Sequence, residues 1–235
     1  MSPLVQLEAP VRAPVAAPRI QSLLIKPASA LCNLDCTYCF YLDRAADPYK
    51  EIEQRRMPEE TLRRLVDSWM YYSHPNSTFA FQGGEPTLAG LPFFEKLVEF
   101  QQRYGRSGQN VSNALQTNGV LLDNRWAEFF HQYNWLIGLS MDGPEELHDR
   151  FRVNKGGAGS WRQVMRGMEA LQRGKAEFNI LCVLSQSNVE RPKEIYRFFR
   201  GLGIDNIQYI PLSEFDAEGR PLPETITPAQ YGRFL

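Results

Sequence analysis

Residues 78–119, TFAFQGGEPTLAGLPFFEKLVEFQQRYGRSGQNVSNALQTNG, contain one full turn of a repeating pattern. Thr78 to Gly83 is a short apolar run that ends in glycine, and it reads as a strand. Pro92 to Tyr104 sets Phe93, Phe94, Leu97, Val98 and Phe100 at helical spacing, with the proline near the start. Ser112 to Thr117 reads as a second strand and runs into Asn118-Gly119, a turn pair. Strand, helix, strand with short connections is the unit of a parallel sheet, whose crossovers are right-handed.

Working outward in both directions, the unit repeats. Upstream, Ser22 to Ser29 reads as a strand and Glu59 to Tyr72, after Pro58, as a helix. Downstream come a helix at Asn124 to Tyr133, a strand at Trp135 to Asp142, and a helix at Ser160 to Arg173, with Ser160 as its N-cap. A strand at Phe178 to Ser185, a helix at Pro192 to Gly201 and a strand at Asn206 to Leu212 follow. Six strands and five intervening helices predict an α/β chain, a partial (β/α)6 TIM-like barrel open on one side. The strands are mostly continuous apolar runs, which predicts burial on both faces. Residues 1–21, rich in Pro and Ala, are expected to be a flexible extension. Thr227-Pro228 announces a helix that has room for two turns at most, so the chain is expected to continue past Leu235.

Composition excludes several classes. There are 26 Lys plus Arg against 27 Asp plus Glu, an even balance that leaves no electrostatic footprint for nucleic acid and no polybasic membrane signal. No apolar run approaches the length of a membrane span, and Pro and Glu8 interrupt the N-terminus where a secretory signal would be apolar. A cytoplasmic location is the expectation. Four cysteines, three of them crowded into CNLDCTYC at residues 32–39, are not a disulfide framework.

That C-x3-C-x2-C array carries the chemistry. Three close thiolates can converge on a soft metal centre. A [4Fe–4S] cube held by Cys32, Cys36 and Cys39 has one iron left over, open to a small molecule. A zinc site is the alternative, although structural zinc takes four ligands and the nearest candidate, His74, lies on a different element. Three ordinary buried thiols are the plainest reading. Position adds to the first. The array follows the first strand directly, and FQGGEP (81–86), QTNG (116–119), SMDGP (140–144) and IPL (210–212) all end later strands. Ligands of parallel α/β folds bind at the C-terminal ends of strands, so these motifs predict one shared pocket. KGGAGS (155–160) is not a dinucleotide loop, and no P-loop is present.

The cysteine array with Tyr38 before its last cysteine, followed one strand later by GGEP, resembles the radical S-adenosylmethionine superfamily. The fuller set, LCNLDCTYCFYL, FQGGEPTL, LQTNG and LSMDGP with HDRFR after it, is similar to the anaerobic sulfatase-maturating enzymes, the branch with a C-terminal SPASM domain. The match runs from about Ser22 to Leu212. The resemblance implies that residues 22–212 form the radical domain and that 213–235 begin a linker to a SPASM domain. It implies a [4Fe–4S] cluster on Cys32, Cys36 and Cys39, with S-adenosyl-L-methionine on the open iron. Gly83 and Gly84 would let the backbone approach the methionine amine, with Gln82 and Glu85 as polar contacts beside it. Tyr38 and Leu212 would flank the adenine, Ser140 would hold the ribose or carboxylate end, and Arg152 would pair with the carboxylate. Tyr41, Gln116 and Asn118 would face a peptide substrate, the Cys or Ser motif of a sulfatase, which the radical oxidises to Cα-formylglycine. A flavodoxin- or ferredoxin-type donor would supply electrons.

The resemblance also leaves gaps. The family's two further clusters and its catalytic Asp lie in the SPASM domain. No cysteine follows Cys182, and no residue here takes the place of that Asp. A crosslinking maturase of ribosomal peptides, a non-catalytic metal-binding module and an inactive fragment are the other readings. Plainer roles also stand for single residues: a surface pair of Arg152 with Asp149, a bare turn at Asn118-Gly119, a loop charge at Glu85, packing for Tyr38 and Tyr41. Cys182 reads as a core thiol, and His74, His131 and His148 as structural or surface residues.

Overall fold

The structure, a computed structural model, describes residues 20, 22–39 and 55–235. The expected extension lies outside these residues except for Ile20, and so does Tyr41. Six strands form one parallel sheet in sequence order: β1 (Ser22–Ile25), β2 (Asn76–Phe81), β3 (Asn110–Thr117), β4 (Leu136–Ser140), β5 (Glu177–Leu184) and β6 (Ile207–Pro211). Helices α1 (Glu59–Tyr72), α2 (Leu91–Tyr104), α3 (Asn124–Gln132), α4 (Glu145–Asp149), α5 (Trp161–Arg173), α6 (Pro192–Gly201) and α7 (Pro228–Phe234) complete the chain. The sheet is not closed among the described residues: β1 and β6 are its two edges, as a partial barrel requires.

The core lies between the helices and one face of the sheet. Phe81 of β2 packs on Phe94 of α2 with ring centroids 5.3 Å apart, and both meet Trp135, which is fully buried at the start of β4. Trp126 and Phe130 of α3 extend this aromatic layer. The other face differs from expectation. In β2, Ser77, Phe79 and Phe81 are buried while Thr78 and Ala80 are half-buried; in β4, Ile137 and Leu139 are buried while Leu136 is exposed and Gly138 and Ser140 are half-buried. These strands therefore alternate and are not buried on both faces, whereas β5 keeps a continuous buried run at Ile180, Leu181 and Cys182. An open barrel covers only its outer face with helices, and its inner face surrounds a cavity.

Two departures from the expected elements have physical reasons. Strand β1 stops at Ile25, short of the expected Ser29. Pro27 has no N–H for a ladder, and the chain turns instead, with Ser29 N–H donating to Lys26 O and Leu31 N–H to Ala28 O. Helix α4 is an addition between β4 and α5 that the sequence pattern did not separate from its loop. Packing also continues past Leu212: Ile226 N–H bonds Leu212 O, and Phe234 of α7 meets Tyr209 of β6 edge-on with ring centroids 4.8 Å apart.

Candidate active site

The cysteine loop is positioned by backbone pairing. Asp35 N–H donates to Val153 O (2.8 Å) and Thr37 N–H to Phe151 O (2.9 Å), and Leu34 bridges antiparallel to Asn154. Cys39 N–H closes a turn onto Cys36 O. The segment after α4 is thus the template for the loop. Tyr38 adds a side-chain anchor: its ring rests 5.2 Å from that of Phe151, and its hydroxyl donates to Asp142 Oδ2 at 2.6 Å.

Asp142 is the hub of the wall behind the loop. It is buried and accepts from Arg152 Nε (2.8 Å) and Nη2 (3.1 Å), from Tyr38 and from Val183 N–H. Burial acts to raise its pKa, and the Arg152 guanidinium outweighs that, so the carboxyl sits below its usual value. The surface pair of Arg152 with Asp149 does not form. Asp149 instead accepts from Ser160 and Trp161 N–H, capping α5. Ser160, expected to cap α5 itself, donates its hydroxyl to Arg152 O and meets His148 Nε2 at 3.0 Å. His148 is fully buried, and burial, with Arg152 adding to it, pushes its pKa down to about 3. It is neutral: Nδ1 accepts from Asp142 N–H, so Nε2 carries the proton toward Ser160.

The glycine pair after β2 explains itself through the same loop. A Cβ on Gly84 would lie 2.1 Å from Leu31 O, and one on Gly83, whose φ is +128°, would lie 2.7 Å from Ser29 O. Gly84 N–H bonds Ser29 O and Glu85 N–H bonds Leu31 O, so this turn is zipped to the residues that lead into Cys32. Glu85, expected beside the methionine amine, is fully enclosed and is not among the residues that line the cavity. Its carboxylate accepts from Thr87 N–H, Thr87 Oγ1, Thr117 Oγ1 and Asn118 N–H, all within 3.0 Å. Burial raises its pKa against those four donors.

These elements enclose a cavity of about 370 Å³ at the C-terminal ends of the strands. Cys32, Cys36 and Cys39 line it, with Tyr38 between them, and Gln82, Gly83 and Gly84 come from the turn after β2. Gln116 and Asn118 enter from β3, Ser140 from β4, Arg152 from the template segment and Leu212 from the end of β6. Twelve of the expected residues therefore share one cavity. Thr117, Ile210 and Pro211 also line it, as their QTNG and IPL motifs predicted, whereas Val183, Ser213 and Glu214 were missed. Val183 lies inside a continuous apolar run of β5, which carries no signal of which side chains face the cavity. Asp142 was visible only as a letter of the SMDGP motif.

The donor set fits an iron–sulfur cube. All three thiols are partly exposed and none forms a disulfide, and they lie closely enough to influence one another's ionisation. Burial pushes Cys36 up to about 12, so a cationic centre is what would make thiolates of them. Among the described residues no three His, Cys, Asp or Glu side chains could hold a single metal ion. A cube asks for something wider, since each cysteine takes an iron at a different corner.

The model of the Radical SAM superfamily matches residues 27–199, and this chain belongs to that superfamily. Within it, the chain is similar to the anaerobic sulfatase-maturating enzymes of both types. It is 36% identical over 97% of its length to the serine-type enzyme of Bacteroides thetaiotaomicron, and 39% identical over 91% of its length to a cysteine-type enzyme of Clostridium perfringens. It spans 58% of the length of each of these relatives. The solved structure of anSMEcpe with bound AdoMet superposes with a TM-score of 0.82 at 38% identity, covering 91% of this chain and 58% of that one. A Streptococcus suis structure, SuiB bound to the precursor peptide SuiA, shares the fold at 18% identity and a TM-score of 0.66, covering 91% of this chain and 44% of that one. No helix among the described residues is long and apolar enough to cross a membrane.

Proposed function

We propose that this chain is the radical-generating part of an anaerobic sulfatase-maturating enzyme, with Cys32, Cys36 and Cys39 holding a [4Fe–4S] cluster and the cavity beside them holding S-adenosylmethionine. When bound, the cluster supplies the single electron that breaks a carbon–sulfur bond of S-adenosylmethionine, giving methionine and a 5′-deoxyadenosyl radical. The observation that carries this reading is the convergence of the three thiols with Gly83-Gly84, Ser140, Arg152 and Leu212 on one cavity.

Each side chain has a part in it. Arg152, held in place by Asp142, offers its positive charge to the methionine carboxylate. The Gly83-Gly84 backbone and Gln82 take the amine end, Ser140 the ribose or carboxylate end. Tyr38 and Leu212 flank the adenine. Glu85 acts behind this surface by holding Thr117 and Asn118. Gln116 faces the peptide, a Cys or Ser of a sulfatase, in line with the related structure solved with AdoMet and the Cp18Cys peptide. The apolar wall of Val183, Ile210 and Leu212 keeps water from a reactive radical. A flavodoxin- or ferredoxin-type protein supplies the electron, and a cytoplasmic location suits this oxygen-sensitive chemistry.

Anaerobic reconstitution with iron and sulfide tests the reading. About four irons should bind per chain. Dithionite and S-adenosylmethionine should then give 5′-deoxyadenosine by mass spectrometry, and Cys36→Ala should abolish it. A chain that takes up zinc in place of the cluster, or a loaded chain that never cleaves S-adenosylmethionine, would refute the proposal.

A further inference from the structure

Asn118 stands just past the end of β3, where it lines the cavity and reaches the cysteine loop with its side-chain amide. It is 8% exposed, and its N–H and both side-chain polar atoms have partners. Its N–H donates to Glu85 Oε2 at 2.8 Å, which fixes the backbone. Its Oδ1 accepts from Val120 N–H at 3.0 Å, so the amide has only one orientation. The nitrogen Nδ2 therefore faces the loop. It donates to Asn33 Oδ1 at 2.8 Å and lies 3.7 Å from Cys32 Sγ, within reach of an N–H···S bond. Leu34 N–H approaches the same sulfur at 3.4 Å.

We infer that Asn118 is a positioning residue for the cluster, whose amide, oriented by Asn33, donates a hydrogen bond to the Cys32 sulfur and makes the cluster easier to reduce. The inference rests on the cluster proposed above. It departs from the expectation that Asn118 contacts the peptide. Taking up an electron adds negative charge to the cube and its sulfurs. An N–H dipole aimed at a sulfur stabilises that charge and so raises the reduction potential. Glu85 explains why the donor stays aimed. Its carboxylate, gripped by Thr87 and Thr117, clamps the Asn118 backbone from behind.

The test compares the reconstituted chain with its Asn118→Ala and Asn118→Asp variants. Iron is counted, and the midpoint potential is read from the reduced cluster's electron paramagnetic resonance signal during a redox titration without S-adenosylmethionine. Asp keeps the oxygen that serves Val120 but has no N–H to donate. Both variants should load iron like the parent and titrate at more negative potential, Asp further than Ala because it adds a negative charge beside the sulfur. Midpoints equal to the parent's in both variants overturn the inference. So does loss of iron from both with native circular dichroism, since Asn118 would then build the loop without tuning the sulfur. If the parent itself takes up no cluster, the proposal of the preceding section fails, and that result is distinct from a loaded parent whose variants do not shift.

Discussion

At the scale of single residues, the absence of a side chain matters as much as its presence. Gly84 sits where any Cβ would collide with Leu31 O, a backbone atom that has no flexible end to yield. Gly84→Ala should therefore push the 29–31 turn away and misplace Cys32. We expect a loss of about 1–3 kcal/mol in urea unfolding and a sharp fall in iron bound after reconstitution. Gly201→Ala, where a Cβ would meet nothing within 4 Å, serves as the control and should retain iron. Equal iron in both variants would sink the argument. The GGEP motif was legible as sequence, and both glycines line the cavity as expected. Their reason was not legible, because the atom they avoid lies more than fifty residues away along the chain.

At the scale of elements, the turn from β4 to α5 shows how a local rule yields to a neighbour. Ser160 has the right identity for an N-cap, but its hydroxyl is drawn to Arg152 O and His148, and Asp149 caps the helix from eleven residues upstream. Asp149→Ala should cost about 0.5–2 kcal/mol, the range for a lost cap. Ser160→Ala should act differently, leaving buried His148 Nε2 without a partner. Thermal melts of the two variants check this, and an unchanged melt for Asp149→Ala would rule out the capping role. The same stretch places α4 so that Phe151 and Val153 present their carbonyls to the cysteine loop. Five crossover helices and six strands could be read from periodicity, since each buries a face of its own. The short α4 could not, as five residues are too few for a periodic signal.

For the whole molecule, the site's rear wall links stability to pH. Neutral His148 and ionised Asp142 are enclosed by the same packing, with the charged Arg152 paired to the Asp142 carboxylate. His148 in the unfolded chain takes up a proton near pH 6.5, while in the fold it resists until about 3. Its folded pKa is depressed, so its contribution is present in full above pH 6.5 and is lost as pH falls. The stability of the metal-free chain should drop by up to about 1.4 kcal/mol per pH unit below that point from this one group. Asp142, also depressed, adds its own loss at lower pH, where the unfolded carboxylate begins to protonate. Urea unfolding from pH 7 to 5 should show the slope, and His148→Gln should flatten it. A slope that persists unchanged in that variant would place its origin elsewhere.

The sequence by itself determined the order of strands and helices, the class of the fold and the gathering of motifs at one end of the sheet. Apolar periodicity and turn residues act over a few neighbours, and a parallel sheet with short connections has few ways to assemble. It also marked the three cysteines, because their spacing is a local quantity. Only the tertiary structure decided which partner each polar group took. Arg152 went to Asp142 and left Asp149 to α5. Glu85 withdrew from the cavity to hold the end of β3, and the Asn118 amide turned toward Cys32. A buried polar group is satisfied by whatever the packing brings within hydrogen-bond distance, and packing joins residues that the chain keeps far apart.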